Sequence, residues 1–331
     1  MMAISILRAG ILTTVQDLGR AMFRGHAVPT SGAMDQLSAR LANKAVGNTD
    51  GSAVIEFNYG GASLVAESAI LIACSGYGAL FQANGINLPC NRPVFIPAGT
   101  VINLRENVQG VRSYLAVAGG WQVPEILGSK STYLPAGFGG FEGRALKAGD
   151  FLSADQHLRP LSHSILSRLA GNVISFPKWS ISDSRFMLKN EIRVVPAQEF
   201  LWFDALSIIN LLTKPFVLNA QGNRMGIPVD GALMNKRKSG ELLSTAVVAG
   251  TLQVTGNGKL MLLMADAQTT GGYPRIVQVA AVDLPVCAQM RPNREIYFKE
   301  ISSDEAEELY LEREMHLKQL DATIAYKFSN E

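Results

Sequence analysis

Short apolar or alternating runs, separated by Gly, Pro, Asn and Asp, set the texture of this chain. Ala69–Ala73, Pro93–Ile96, Thr100–Leu104 and Tyr114–Val117 have the length and turn boundaries of strands. Leu260–Met264 and Ile276–Ala280 read the same way. One early helix is predicted over Met34–Val46, with Leu37, Leu41 and Ala45 on one face and Gly47 as its stop. Gln198–Leu212 is a second helical candidate. From Ser302 onward acidic residues fill a first turn, where they complement the helix dipole. Leu309, Arg313, His316, Leu317, Leu320 and Ile324 then recur at helical spacing, predicting an amphipathic C-terminal helix. Between these parts, residues 154–190 lose the pattern and read as a connector with local packing anchors. The preponderance of strands favours barrels or sandwiches. A short echo, Gly25–Met34 against Gly226–Leu233 with an arginine before each, suggests two related halves.

The loop Ala265-Asp266-Ala267-Gln268-Thr269-Thr270-Gly271-Gly272-Tyr273-Pro274 joins two apolar runs and is too polar for a simple corner. Paired glycines open backbone conformations closed to other residues. Gln268, Thr269, Thr270 and Tyr273 carry the groups to hydrogen-bond an amide or urea-like substrate, and are the candidate catalytic residues. The plainer alternative is a well-made hairpin turn. Three further features are candidates for substrate binding. Ser31 and Asp35 flank the start of the early helix, where Ser31 or Thr30 suits an N-cap and the helix N-terminus suits an anion. Gly139 and Gly140 lie in the glycine-dense Gly137–Arg144 loop, whose amides can cradle an anion beside the planar fork of Arg144. The alternative there is a flexible barrel loop. Arg224 precedes a turn and suits bidentate contact with a carboxylate. Asp17 and Arg20, three apart, suit a local ion pair.

Composition narrows the classes. At 331 residues the chain fits about two domains. Charged residues make up 18%, below the roughly 25% of soluble domains, and mean hydropathy is +0.14. A large protein interface accounts for both. No window approaches about 20 consecutive apolar residues, so no membrane span is expected, and the opening segment does not read as a signal peptide. Thirty basic against 28 acidic residues, with no basic stripe, argue against nucleic acid. Cys74, Cys90 and Cys287 are far apart, and the four histidines are scattered. No metal site is expected, and free thiols in the cytoplasm are the default. The Gly256-Asn257-Gly258-Lys259 turn lacks the parts of a phosphate-binding loop. No serine elbow or cysteine–histidine pair supports covalent acyl transfer.

Several motifs carry a family resemblance. They are Thr14-Val15-Gln16-Asp17-Leu18-Gly19-Arg20, Val28–Asp35, Leu41-Ala42-Asn43, Val46-Gly47-Asn48, Ser113–Gly120, Leu127-Gly128-Ser129, Ser131-Thr132, Gly139-Gly140, Gly143-Arg144 and Gly149-Asp150. Later come Asn223-Arg224-Met225-Gly226, Glu241-Leu242-Leu243-Ser244 and Gln268–Pro274. In this order, over roughly residues 5 to 298, the chain resembles the family of the 5-oxoprolinase C component (PxpC), KipA, allophanate hydrolase subunit 2 and the urea amidolyase-related proteins. The resemblance implies a mainly β fold of two cyclophilin-like β-barrel domains with a few helices and a C-terminal helix. The expected division is residues 1–160 for the first barrel, 161–189 for the connector, 190–300 for the second barrel and 301–331 for the helix.

It further implies a subunit, inactive alone, of an ATP-dependent 5-oxoprolinase. ATP would be shared with a B-type (KipI-like) partner that helps activate the lactam, and an A-type partner would complete opening to glutamate. No biotin is expected on this chain, which lacks a Met-Lys-Met attachment motif. Alternatives within the resemblance are a carboxyltransferase component of a urea carboxylase or amidolyase-like system, and a regulatory antagonist of a kinase inhibitor. The chain departs from the family pattern at Asn223, Pro228, Thr245, Ala267 and Arg193–Gln198, several of them positions where a charge is usual.

Overall fold

The computed structural model describes residues 2–182, 189–237 and 242–329. Glu241 of the Glu-Leu-Leu-Ser motif and residues 183–188 of the expected connector lie outside them. The chain divides into two compact units, Met1–Gly19 with Ser31–Phe186 and His316–Glu331, and Arg20–Thr30 with Met187–Met315. Both are discontinuous in sequence. The segment 20–30 belongs to the second unit, and the C-terminal helix is divided between them.

The first unit contains β1 (Ala3–Ala9), β2 (Leu12–Gln16), α1 (Gln36–Ala45), β3 (Val54–Asn58), β4 (Ala62–Ala66) and β5 (Ile70–Gly76). Then follow β6 (Ala79–Ala83), β7 (Ile86–Asn87), β8 (Pro93–Ile96), β9 (Val101–Glu106), β10 (Arg112–Val117), β11 (Phe151–Ser153) and α2 (Pro160–Leu169). The strands form two sheets, ordered β11-β1-β4-β9-β6-β7 and β2-β3-β10-β5-β8. Their main core joins Ile4, Leu64, Phe81 and Ile102 of one sheet with Phe57, Ile72, Val94 and Leu115 of the other. Phe57 meets Phe81 edge-on at 6.0 Å between ring centroids.

Strand β10 is buried at every position, and the two cores explain why. Leu115 and Val117 join the inter-sheet core, while Tyr114 and Ala116 join a second cluster with helix α1. A strand covered on both faces reads as a continuous apolar run rather than an alternation. Helix α2 occupies part of the expected connector. Pro160 starts it, Ile165 is buried in the second cluster, and Leu161, Leu166 and Leu169 pack against that cluster.

The second unit contains β12 (Glu191–Pro196), α3 (Ala205–Thr213), β13 (Phe216–Leu218), β14 (Gly226–Asp230), β15 (Thr245–Ala246) and β16 (Thr251–Val254). Then follow β17 (Leu260–Leu263), β18 (Thr270–Gly271), β19 (Arg275–Val279), α4 (Leu284–Gln289) and β20 (Glu295–Glu300). Seven of these strands close a barrel in the order β12-β19-β16-β17-β14-β13-β20. Parallel pairing of β12 with β20 completes the ring. Alternation is clear on β20, where Ile296 and Phe298 are buried and their neighbours exposed. Phe298 packs on Phe216 at 5.5 Å. The short pair β15–β18 stands apart from the barrel ladder.

Helix α5 (Ser303–Ser329) ends the fold. Within the first unit Leu317, Ile324 and Phe328 are buried in the α1 cluster, and Asp321 accepts from Lys44 Nζ at 2.8 Å. Within the second, Arg313 donates to Ala281 O at 3.0 Å. No described helix is long and apolar enough to cross a membrane.

Candidate functional site

In the second unit the polar loop is built around a buried ion pair. Arg224 Nε donates to Asp266 Oδ2 at 2.8 Å, and Nη2 donates to Asp266 Oδ1 at 3.1 Å. The backbones are joined as well, with Asp266 N to Arg224 O at 2.8 Å and Met264 N to Met225 O at 3.0 Å. Asn223 shapes the turn that delivers Arg224, its Oδ1 accepting from Met225 N at 2.8 Å and Gly226 N at 3.2 Å. The Arg224 fork therefore points to a carboxylate of the protein, and its partner lies at the base of the candidate catalytic loop.

From Asp266 the loop runs outward. Ala267 is buried in a small apolar cluster with Val247 and Leu263. Thr269 is buried and its carbonyl accepts from Val247 N at 3.0 Å. Gln268 and Thr270 are exposed. Gln253 Nε2 donates to Tyr273 O at 3.2 Å, fixing the loop's exit. A side chain at Gly271 would bring a Cβ within 2.6 Å of Gln253 Nε2, so this glycine allows the close approach.

Tyr273 is half exposed and lines a cavity of about 520 Å³ with Asn219, Asp230, Asn257, Lys259 and Met261. Asn219 Nδ2 donates to Asp230 Oδ2 at 2.6 Å, and Thr255 Oγ1 donates to Asn257 Oδ1 at 2.6 Å. The cavity thus offers a phenol, an ammonium group, the Asp230 carboxylate and two side-chain amides held by neighbours. Asn257 and Lys259 belong to the turn that the sequence excludes as a phosphate loop, and Asn219 carries no motif of its own. The signal for Asn257 and Lys259 is the polar density of the Gly256–Lys259 turn, visible once that turn is not required to be a phosphate loop.

An adjacent ion pair braces the same unit. Arg275 Nε and Nη2 bond Glu199 Oε2 and Oε1, each at 2.7 Å. Burial by itself would push the Glu199 carboxyl up, but the Arg275 hydrogen bonds outweigh it and hold it below its usual range.

In the first unit Asp17 is a hub. Its Oδ1 accepts from Gly19 N at 2.7 Å, Ser129 Oγ at 2.7 Å and Ser131 Oγ at 2.5 Å. Oδ2 accepts from Lys130 N at 2.6 Å. Asp17 O also receives Ala33 N at 2.8 Å, tying in the Ser31–Asp35 segment. Ser31 takes a left-handed backbone, φ +55°, and its hydroxyl is buried with no hydrogen-bond partner among the described residues. The N-cap of α1 is Asp35, whose Oδ1 accepts from Ser38 N at 2.9 Å. Ser31 and Thr30 lie too far upstream, because the helix begins at Gln36. Beneath this start Tyr114 Oη donates to Glu56 Oε2 and accepts from Asp35 N, both at 2.8 Å. Burial first, then the Glu56 charge, pushes the Tyr114 phenol well up.

The glycine-dense loop folds onto itself. Gly139, Gly140 and Gly143 all have positive φ, and a Cβ on Gly140 would overlap Thr132 Oγ1. Arg144 donates to both oxygens of Asp150, at 2.7 and 2.9 Å, and to Glu142 Oε2 at 2.7 Å. The guanidinium hydrogen bonds pull the Asp150 carboxyl below its usual range against the opposing effect of burial. Within the first unit the hub brings the Ser31–Asp35 segment beside the 129–132 stretch, and Gly140 packs on the same stretch. Gln268, Thr269, Thr270, Tyr273 and Arg224 come together separately, within the second unit. Among the described residues no group of three or more His, Cys, Asp or Glu is placed to hold a metal ion.

Residues 26–300 match the family model described as "Carboxyltransferase domain, subdomain A and B". The chain belongs to this carboxyltransferase family. Among the family's relatives, the C component of the 5-oxoprolinase of Escherichia coli K12 is 35% identical over 330 residues, covering 99% of both chains. The urea amidolyase of Saccharomyces cerevisiae is 28% identical over 336 residues, covering 97% of this chain and 18% of that protein. The solved K. lactis urea amidolyase superposes with a TM-score of 0.85 at 25% identity, over 96% of this chain and 20% of that one. The family fold therefore occurs both as a chain of this length and as a fifth of a much larger enzyme. In this member the position of Ala267 is filled by a packed methyl, and Thr245 has a buried hydroxyl with no hydrogen-bond partner among the described residues.

Proposed function

We propose that this chain is the C-type component of an ATP-dependent 5-oxoprolinase, working on the lactam of 5-oxoproline with B-type and A-type partners. The observation that carries this is the end-to-end match to the C component of a 5-oxoprolinase, 99% of each chain at 35% identity. The substrate would be a planar lactam bearing one carboxylate. Tyr273, Gln268 and Thr270 supply exposed hydrogen-bonding groups for the lactam, and Lys259 supplies a cation for the carboxylate. Arg224 acts through Asp266 and is a positioning residue. In the first unit the Ser31–Asp35 segment and the Gly139–Arg144 loop remain proposed binding elements, with Arg144 shaping its loop through Asp150. ATP is a co-substrate in this proposal, and no residue of this chain is assigned to it.

Catalysis by such groups is electrostatic. Donors fixed before the substrate arrives stabilise charge developing on the lactam oxygen without reorganising. A second reading, a carboxyltransferase component acting on a urea-like amide, is favoured by the fold match to a urea amidolyase. It would need biotin carried by another chain. Co-expression with a B-type partner and size-exclusion chromatography tests the proposed assembly. One hetero-oligomeric peak is expected, and separate elution at micromolar concentration would refute the partnership.

A further inference from the structure

A second cavity, within the first unit, is lined by Asp17, Thr49, Gly51, Ser52, Gly120, Glu125 and Lys130, among others, and has a volume of about 240 Å³. That is roughly the share of liquid taken by eight water molecules. We propose that it binds a small zwitterionic α-amino acid.

Three walls are fixed before any ligand arrives. The Thr49–Ser52 turn is anchored to α1, through Asp50 to Arg40 at 2.7 Å and to Lys44 at 2.8 Å, and through Ser52 O to Asn43 Nδ2 at 2.8 Å. The Gly119–Gly120 turn is held by Asn48, whose Oδ1 accepts from Gly119 N at 2.9 Å and whose Nδ2 donates to Val117 O at 2.7 Å. The 128–130 wall is held by Asp17 through Ser129 and the Lys130 amide. Buried polar networks of this kind hold a site rigid and so reduce the entropy lost on binding.

Gly51 is the informative lining residue. Its φ is not positive, and a Cβ there would meet nothing within 4 Å. Neither a left-handed backbone nor packing requires glycine at this point, so a larger side chain can be placed at this wall without strain.

Charge and size select the ligand class. Ala53 is the one aliphatic side chain in the lining, so an apolar or aromatic molecule gains little burial. Asp17 already accepts four hydrogen bonds and is committed to its wall. The remaining charges are the Glu125 carboxylate and the Lys130 ammonium, one of each sign. A polyphosphate would meet two carboxylates against one cation. A molecule carrying one ammonium and one carboxylate is matched at both ends, beside the Thr49 and Ser52 hydroxyls, which bond each other at 2.9 Å.

The test is calorimetric titration of the purified full-length chain with glycine, L-glutamate and 5-oxoproline, which lacks the ammonium group. Glycine or L-glutamate should bind, and any heat from 5-oxoproline, the substrate of the proposed lactam site, should be unchanged by Lys130→Met or Glu125→Gln. Lys130→Met and Glu125→Gln should each weaken binding by about tenfold or more. Lys130→Met keeps the peptide N–H that serves Asp17. Gly51→Leu should abolish binding with an unchanged melting temperature. If Gly51→Leu destabilises the fold, the two charge variants decide. The proposal is overturned if neither amino acid binds at about 10 mM, if Lys130→Met and Glu125→Gln weaken 5-oxoproline as much as the amino acids, or if the charge variants bind the amino acids as the parent does.

Discussion

Arg224 and Asp266, 42 positions apart in sequence, form a two-pronged ion pair with both side chains buried and their backbones hydrogen-bonded to each other. This places the arginine behind the polar loop, as the support of the residues proposed to meet substrate. Removing one partner leaves an uncompensated buried charge, at a cost of about 3–5 kcal/mol. Arg224→Ala is therefore expected to lower the midpoint of urea unfolding strongly, and not merely to weaken a ligand. Arg224→Ala/Asp266→Ala should recover part of the loss, since contacting residues are not additive. Equal midpoints for Arg224→Ala and the parent would show that the pair contributes nothing.

Tyr273 is the opposite case. Its ring is half exposed at a cavity and its backbone carbonyl, not its phenol, holds the loop to Gln253. Tyr273→Phe should change stability by no more than about 0.5 kcal/mol while lowering turnover in the assembled enzyme. Thermal unfolding and steady-state rates of the same preparation check both. A loss of several degrees with normal turnover would make Tyr273 turn architecture.

The glycine-dense loop should be intolerant of side chains for steric reasons. Gly140 has φ +55° and faces Thr132, which is itself held by Val15 O at 2.9 Å. Gly140→Ala forces a clash in a left-handed conformation and is expected to destabilise by about 1–3 kcal/mol. Gly137→Ala, equally left-handed but meeting nothing within 4 Å, should cost less. Denaturant titration of the two variants separates clash from backbone strain.

Two buried carboxylates contribute to the acid limit. Asp150 is held below its usual range chiefly by hydrogen bonds from Arg144, and Glu199 by those from Arg275, which override its burial. A depressed folded-state value stabilises the fold above the unfolded carboxyl range of about 4 and is lost as pH falls through the folded value. The urea midpoint should be flat near neutrality and fall below about pH 5. Glu199→Gln should flatten part of that fall and lower the midpoint at neutral pH. A fall of the same steepness in Glu199→Gln would assign acid sensitivity elsewhere.

Local pattern made much of the fold legible. Strand β8 coincides with Pro93–Ile96, and β5, β9, β10, β17 and β19 lie within a few residues of their apolar runs. Helices α1 and α5 fall where four-residue spacing placed them. Helix α2 escaped because its packing residues are diluted by Ser162, His163, Ser164 and Ser167, so the segment reads as polar connector. The cross-chain pairings were not legible at all. Asp17 meets Ser131 over 114 positions and Lys44 meets Asp321 over 277, separations that only the topology brings together. Spacing left Arg224 free for a ligand, because periodicity carries no record of a distant carboxylate such as Asp266.

The most direct test of the proposed function is ATP-dependent conversion of 5-oxoproline to glutamate by a reconstituted mixture of this chain with B-type and A-type partners. Activity is expected with all three present, and none when this chain is omitted or assayed alone, with urea failing to replace 5-oxoproline. Full activity without this chain, or urea-dependent ATP hydrolysis in place of 5-oxoproline turnover, would contradict its assignment to a 5-oxoprolinase.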